Sequence, residues 1–219
     1  MLLIRHAESL EDIDNAVYEL VPDHAIGLTV EGRSQAIQAA TEISSRIGVA
    51  RRLSIVCSPA RRAEETAELI AAGIRAASNG AVDVQCMADA RLVKQDWGSV
   101  TMANRVEQLR RRYEAGAMNY KFPDGESGWD VATRMRSLIA ELTAWPTPLG
   151  NAAVIITHGF EVRIALMILL GWTESEFEQY ANPPNCFIAD VRAHDNAMTL
   201  MGEGPPLYTP GPSHIPRVR

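Results

Sequence analysis

The chain has 219 residues, 47% of them hydrophobic and 22% charged, which is enough to bury a sizeable core without disulfides or a structural metal and excludes a disordered or fibrous protein. Twenty-seven acidic against 21 basic side chains leave a net charge of −6, a balance that argues against a nucleic-acid surface. A few pocket arginines would still suffice for a small phosphorylated ligand.

The first predicted element is a short strand, Leu2–Ile4, running into Arg5-His6-Ala7-Glu8-Ser9. It delivers a guanidinium and an imidazole to a strand's C-terminal end, where open α/β sheets bind ligands. Residues 12–26 lack periodicity and read as a loop. Ala36, Ala40, Ile43 and Ile47 then mark one helical face. A strand over Ser54–Cys57 leads into Ser58-Pro59-Ala60-Arg61-Arg62, where Ser58 is placed to cap and Pro59 to open a helix that buries Ala63, Ala67 and Ile70. The N-terminus of that helix beside Arg62 is an anion site.

A third strand is expected over Val82–Met87. The stripe Met102, Val106, Leu109 and Tyr113 predicts a helix, with Arg110, Arg111 and Arg112 on its solvated face. A turn at Phe122–Gly125 and a helix start at Glu126-Ser127 precede the helix marked by Val131, Met135, Leu138 and Leu142. That helix ends in a turn over residues 145–150. The strand Ala153–Thr157 repeats the opening arrangement, ending in His158-Gly159 at the start of another helix, with Gly159 permitting close backbone approach to a ligand. Strands at Phe187–Val191 and Ala197–Met201 follow, then a proline-rich, loosely packed tail over 204–219. The alternation predicts an α/β fold: three layers, doubly wound, a mostly parallel sheet with helices on both faces, formed by one domain over residues 1–203.

Cys57, Cys86 and Cys186 form no CxxC pair and read as buried free thiols in a reducing, cytoplasmic setting. The longest apolar stretch, residues 164–172, falls short of the roughly 20 residues of a membrane helix. No basic-then-apolar leader precedes the first strand, so neither membrane insertion nor secretion is expected. Alanine and arginine usage points to a bacterial source, and a homodimer stays open.

Arg5, His6, Arg62 and His158 together suit phosphoryl chemistry. A neutral imidazole is a competent nucleophile, and guanidinium groups bind non-bridging phosphoryl oxygens by charge-assisted bonds. His24, His194 and His214 fall in loop or tail contexts and read as surface groups, and the five histidines show no metal-ligand spacing.

The ordered segments RHAES (5–9), GLTVEGRSQA (27–36), SPARRAEETA (58–67), LVKQDWG (92–98), FPDGESGWDVATR (122–134) and ITHG (156–159) resemble the histidine phosphatase, or phosphoglycerate mutase-like, superfamily. The resemblance implies that His6 becomes phosphorylated, with Arg5, Arg62 and His158 forming the phosphate pocket. Backbone amides near Ala7 and Gly159 would add donors, Ser9 would bind substrate, and no metal or cofactor would be needed. It implies a phosphoric monoester hydrolase acting on a small phosphorylated molecule, in preference to a mutase.

Two positions depart from the family pattern. Lys94 stands where the family places a glutamate that protonates the leaving oxygen, and an ordinary lysine is a reluctant acid at neutral pH. Asp96, two residues on in an extended segment, is the first substitute donor; Glu8 and Glu126 are others. Asp12 stands where the family often has asparagine, and its carboxylate would repel phosphate unless neutralised, with Lys94 the candidate partner. The alternative to an enzyme is a phosphate-binding protein that has lost efficient proton donation. Trp97 and Trp129 are candidates for either pocket lining or core.

Overall fold

A computed structural model describes residues 1–48, 50–144, 151–194 and 197–208. In chain order the elements are β1 (Leu2–Arg5), α1 (Leu10–Ile13), α2 (Val30–Ile47), β2 (Arg52–Cys57), α3 (Arg61–Ala77), β3 (Asp83–Ala88), α4 (Arg105–Ala115), α5 (Gly128–Ala144), β4 (Asn151–Thr157), α6 (Gly159–Leu170), α7 (Glu174–Glu178), β5 (Ile188–His194) and β6 (Ala197–Met201). The strands form one sheet in the order β3-β2-β4-β1-β5-β6. β1 to β4 are mutually parallel, and β5 and β6 extend the β1 edge antiparallel.

The alternation of side chains along each strand divides the core in two. Leu3, Val56 and Ile155 face α5 and α6, meeting Val131, Met135, Val162 and Leu166. Leu2, Ile4, Ile55 and Ile156 face the other way onto α2 and α3, meeting Ile43, Ala67 and Ile70. The sheet is therefore the middle of three layers, as the alternating pattern predicted. No helix among the described residues is long and apolar enough to cross a membrane.

α2 must press closely on the chain that leaves β1. A Cβ at Gly32 would lie 2.0 Å from the Glu8 carbonyl oxygen, so only glycine fits there. Gly98 serves similarly, at φ +55° with its α-carbon face against the Pro123 carbonyl.

Several expectations are corrected. The apolar stripe assigned to α4 does not face the core: Met102, Val106 and Tyr113 are exposed, and the buried residue of that helix is Gln108, whose amide oxygen accepts the Tyr120 hydroxyl. Cys86 is exposed on the edge strand β3, whereas Cys57 is buried. Part of the region read as loop is the single-turn α1, closed by a capping box between Ser9 and Asp12. Residues 204–208 are not loose: Pro205 is buried, and main-chain bonds join Ala181 to Pro206 and Tyr208 to Gln179. The turn at 145–150, the tail from 209 and the His194 side chain lie outside the described residues.

Candidate active site

β1 and β4 are neighbours, with Arg5 opposite Thr157. The residues that follow them therefore emerge side by side, and the rings of His6 and His158 lie edge to face with centroids 5.1 Å apart. His6 is buried, and its Nδ1 sits 2.8 Å from the Ala7 carbonyl oxygen. That contact requires the proton on Nδ1 and leaves the Nε2 lone pair for the cavity that His6 lines. Burial, reinforced by the charges of Arg62 and Arg5, pushes the His6 pKa down to about 3. The imidazole thus stays neutral and nucleophilic across the neutral range. His158 is also held well below its ordinary pKa, chiefly by burial. Its Nε2 meets the Ser58 hydroxyl at 3.0 Å, while its Nδ1 has no partner among the described residues.

Ser58 does not cap α3 and Pro59 does not open it. The N-cap is Ala60, and Ser58 instead orients His158 while accepting the Ala60 amide at 3.3 Å. Arg62, in the first turn of α3, is wholly buried. Its terminal nitrogens donate to Asp23, through the backbone oxygen at 2.6 Å and the carboxylate at 3.1 and 3.2 Å. Its Nε lies 3.3 Å from Glu11 Oε1 without hydrogen-bond alignment. Arg5 donates to Pro183 O at 2.9 Å and pairs with Asp12.

Arg5, His6 and His158 line the deep end of a cavity of about 1300 Å³, and Arg62 is buried behind that lining. The opposite wall carries Lys94, which reaches Glu11 Oε2 at 2.8 Å and Asp23 Oδ1 at 3.4 Å and bonds the Tyr18 hydroxyl. Tyr18 donates to the same Glu11 oxygen. Glu11 Oε1 lies 3.8 Å from His6 Nε2. A carboxylate oxygen therefore stands between the candidate nucleophile and the buried arginine. Trp97 belongs to this wall, stacked on Phe122 and under the Arg105 guanidinium.

Arg5, His6, Arg62, His158 and Lys94 come together as expected. Asp12 does not meet Lys94: it pairs with Arg5, accepts Asn185 Nδ2 at 3.2 Å and caps α1. Ser9 is fully buried and spends both its amide and its hydroxyl on Asp12, so it is a structural cap rather than a ligand for substrate. Asp96 reaches only the rim, with Oδ1 held by the Gly98 amide at 2.8 Å. Glu126 is clamped by Arg134 at 2.9 and 3.0 Å, and Glu8 accepts the Thr29 hydroxyl at 2.7 Å. The absent side chain of Gly159 makes room for Asn182, whose Cβ would lie 3.0 Å from an added Cβ. Trp129 packs against the core and binds Asn119.

The sequence reading missed three residues. Glu11 falls between the RHAES segment and the aperiodic stretch 12–26, and the Ser9-x-x-Asp12 spacing of a capping box was the available signal. Glu161, in the first turn of α6, is fully buried with its pKa raised by burial; Oε1 accepts the Gln95 amide at 2.7 Å and Oε2 has no partner among the described residues. Arg112 leaves the solvated run: Arg110 and Arg111 pair with Glu107 on the surface, but Arg112 packs over Phe160 at 4.7 Å against the cavity and forms no ion pair among the described residues. His6, Glu11 and Asp12 bring ligand atoms within 4.8 Å of one another. Arg62 and Arg5 already pair with those carboxylates, so a cation there would have to displace two guanidinium groups.

The chain resembles known proteins along most of its length. The phosphoglycerate mutase-like protein AT74H of Arabidopsis thaliana is 32% identical over 208 residues, covering 85% of this chain and 71% of that protein. The broad-range acid phosphatase DET1 of Saccharomyces cerevisiae is 32% identical over 101 residues, covering 43% of this chain and 30% of the yeast protein. Among solved structures, a mycobacterial glucosyl-3-phosphoglycerate phosphatase superposes with a TM-score of 0.70 at 23% identity, covering 92% of this chain and 95% of that one, a likeness of fold. Residues 1–202 match the profile of the histidine phosphatase superfamily (branch 1), and with the paired strand-end histidines and the buried arginine in place, the chain belongs to that superfamily.

Proposed function

We propose that this protein is a phosphoric monoester hydrolase for a small phosphorylated molecule, working through a phosphohistidine on His6, with residues 1–203 acting as one catalytic domain. The observation that carries this reading is the orientation of His6: Nδ1 bound to Ala7 O, Nε2 free toward the cavity, and a buried arginine beside it. Arg62, Arg5 and the unpartnered Nδ1 of His158 supply positive or polar groups around the position a phosphoryl group would take. Phosphoryl transfer asks mainly for positioning and for stabilisation of charge spread over the equatorial oxygens. Nε2 attacks phosphorus, the ester P–O bond breaks, and water then attacks the phosphohistidine, returning His6 and releasing inorganic phosphate. The similar proteins include both an acid phosphatase and a phosphoglycerate mutase-like protein; transfer to a second hydroxyl would use the same first step.

A phosphate-binding protein without turnover is the second reading, favoured by Lys94 at the position where the family carries its acid. One assay separates them: a panel of phosphate esters of graded leaving-group pKa, tested on the wild type and on His6→Ala. Hydrolysis of aryl phosphates with label trapped on His6 supports the enzyme. Binding without release supports the second reading, and activity that survives His6→Ala removes the phosphohistidine.

A further inference from the structure

We infer that Glu11 is the proton donor to the leaving group, a carboxylate supplied from α1 and held by the lysine at position 94. The inference rests on the phosphohistidine reading and adds the acid that reading lacks. Its basis is position. Glu11 is the carboxylate with an oxygen between the two groups any phosphoryl ligand must touch, 3.3 Å from Arg62 Nε and 3.8 Å from His6 Nε2. Its second oxygen is fixed by Lys94 at 2.8 Å and by Tyr18. Of the other carboxylates around the cavity, Asp12 is committed to Arg5 and the α1 cap, Asp23 to the fork of Arg62 and Asp96 to Gly98, and Glu161 spends one oxygen on the Gln95 amide.

A nucleophile and its target atom approach to about 3 Å in a reactive complex. Glu11 Oε1 thus stands where a phosphoryl oxygen will be, satisfying Arg62 in the meantime. When a phosphate ester enters, its oxygens take over Arg62, and the carboxyl retreats toward Lys94 and Tyr18, which hold its other oxygen, to the side away from His6. That side is where the ester oxygen departs in an in-line displacement. An ionised carboxylate and a phosphoryl dianion repel each other in one site, so a proton enters with the substrate and lodges between Glu11 and the ester oxygen. As the N–P bond forms and the P–O bond breaks, that proton passes to the departing oxygen and an alcohol leaves. The Glu11 carboxylate then takes a proton from the water that attacks phosphorus, the P–N bond breaks toward His6, and phosphate is released. Relative to the family pattern, the carboxylate has moved to residue 11 and a cation has taken residue 94.

The test compares Glu11→Gln with wild type on p-nitrophenyl phosphate and on a simple alkyl phosphate, alongside Glu161→Gln, the other cavity carboxyl with an unpartnered oxygen. General acids contribute about 10²–10⁴-fold. Loss of kcat/KM of that order on the alkyl ester, little change on the aryl ester, and label still trapped on His6 support the inference. Glu11→Asp, a shorter acid at the same site, should recover part of the alkyl activity, and it replaces Glu11→Gln if the latter fails to fold. Equal effects on both esters, a gain in activity as Glu11 ceases to occlude the site, or the leaving-group-dependent loss appearing in Glu161→Gln instead would each overturn it. If His6→Ala is inactive while Glu11→Gln is unselective, the phosphohistidine stands and only Glu11 is wrong; if His6→Ala stays active, both fall.

Discussion

The two ends of the cavity are built differently. The deep end is made at strand termini: His6 follows β1, His158 follows β4, and Arg62 sits in the first turn after β2, so their separation is set by parallel strand pairing and cannot drift. The outer wall is made by α1, the segment around Lys94 and Tyr18, all of it short irregular chain whose charges satisfy one another. The sheet fixes the position of His6, while the loops set which charged groups face it. A cation at position 94 is tolerated because the loop beside it brings a carboxylate into reach.

Breaking the deep end should have the largest effect. Arg62→Ala removes a buried guanidinium from the proposed phosphoryl site, and kcat/KM on any ester should fall by roughly 10²–10³-fold, as when one electrostatic stabiliser is lost; steady-state kinetics on aryl phosphate checks it. Arg62→Lys should restore charge but not the bidentate fork, and recover only a fraction.

Pressing on the frame that holds both ends comes next. Gly32→Ala places a methyl group against the Glu8 carbonyl, and urea unfolding should show a loss of roughly 1–3 kcal/mol from overpacking. Because Glu8 precedes α1, the same variant should weaken activity on alkyl esters more than on aryl esters.

Acid should separate the ends by charge. The folded-state pKa of His6 lies near 3 against an ordinary 6.5, so between these values the unfolded chain binds a proton that the folded chain does not. Stability should therefore fall as pH drops from about 6.5 toward 3, by up to about 1.4 kcal/mol per pH unit for this one histidine. His158 acts in the same direction. Replacing His6 with asparagine should flatten part of that slope in denaturant titrations at pH 4.5 and 7.

The smallest effect belongs to Ser58→Ala. It removes the partner of His158 Nε2 while leaving every charge in place; about a tenfold loss of kcat/KM is expected from a single neutral hydrogen bond. Unchanged kinetics would show that packing against His6 alone orients His158.

What the sequence by itself determined was the deep end and its frame. Short apolar runs ending in Arg5-His6 and Thr157-His158 carry their own geometry, because a buried strand has one direction and its end is where the ligand sits. The helix faces at Ala36-Ala40-Ile43 and Val131-Met135-Leu138 were legible for the same reason, since burial follows a fixed period. Only the tertiary structure decided the outer wall. Glu11, Tyr18, Asp23 and Lys94 meet across separations of up to 83 residues, through chain without periodicity. Their charges can pair in several ways that a one-dimensional reading weighs equally. Asp12 with Lys94 was one such pairing; folding instead gave Asp12 to Arg5 and Lys94 to Glu11, because α1 turns those two neighbouring carboxylates in different directions. The exposed stripe of α4 and the half-buried Arg112 follow the same rule: a helix shows which residues share a face, but its docking decides which face is covered.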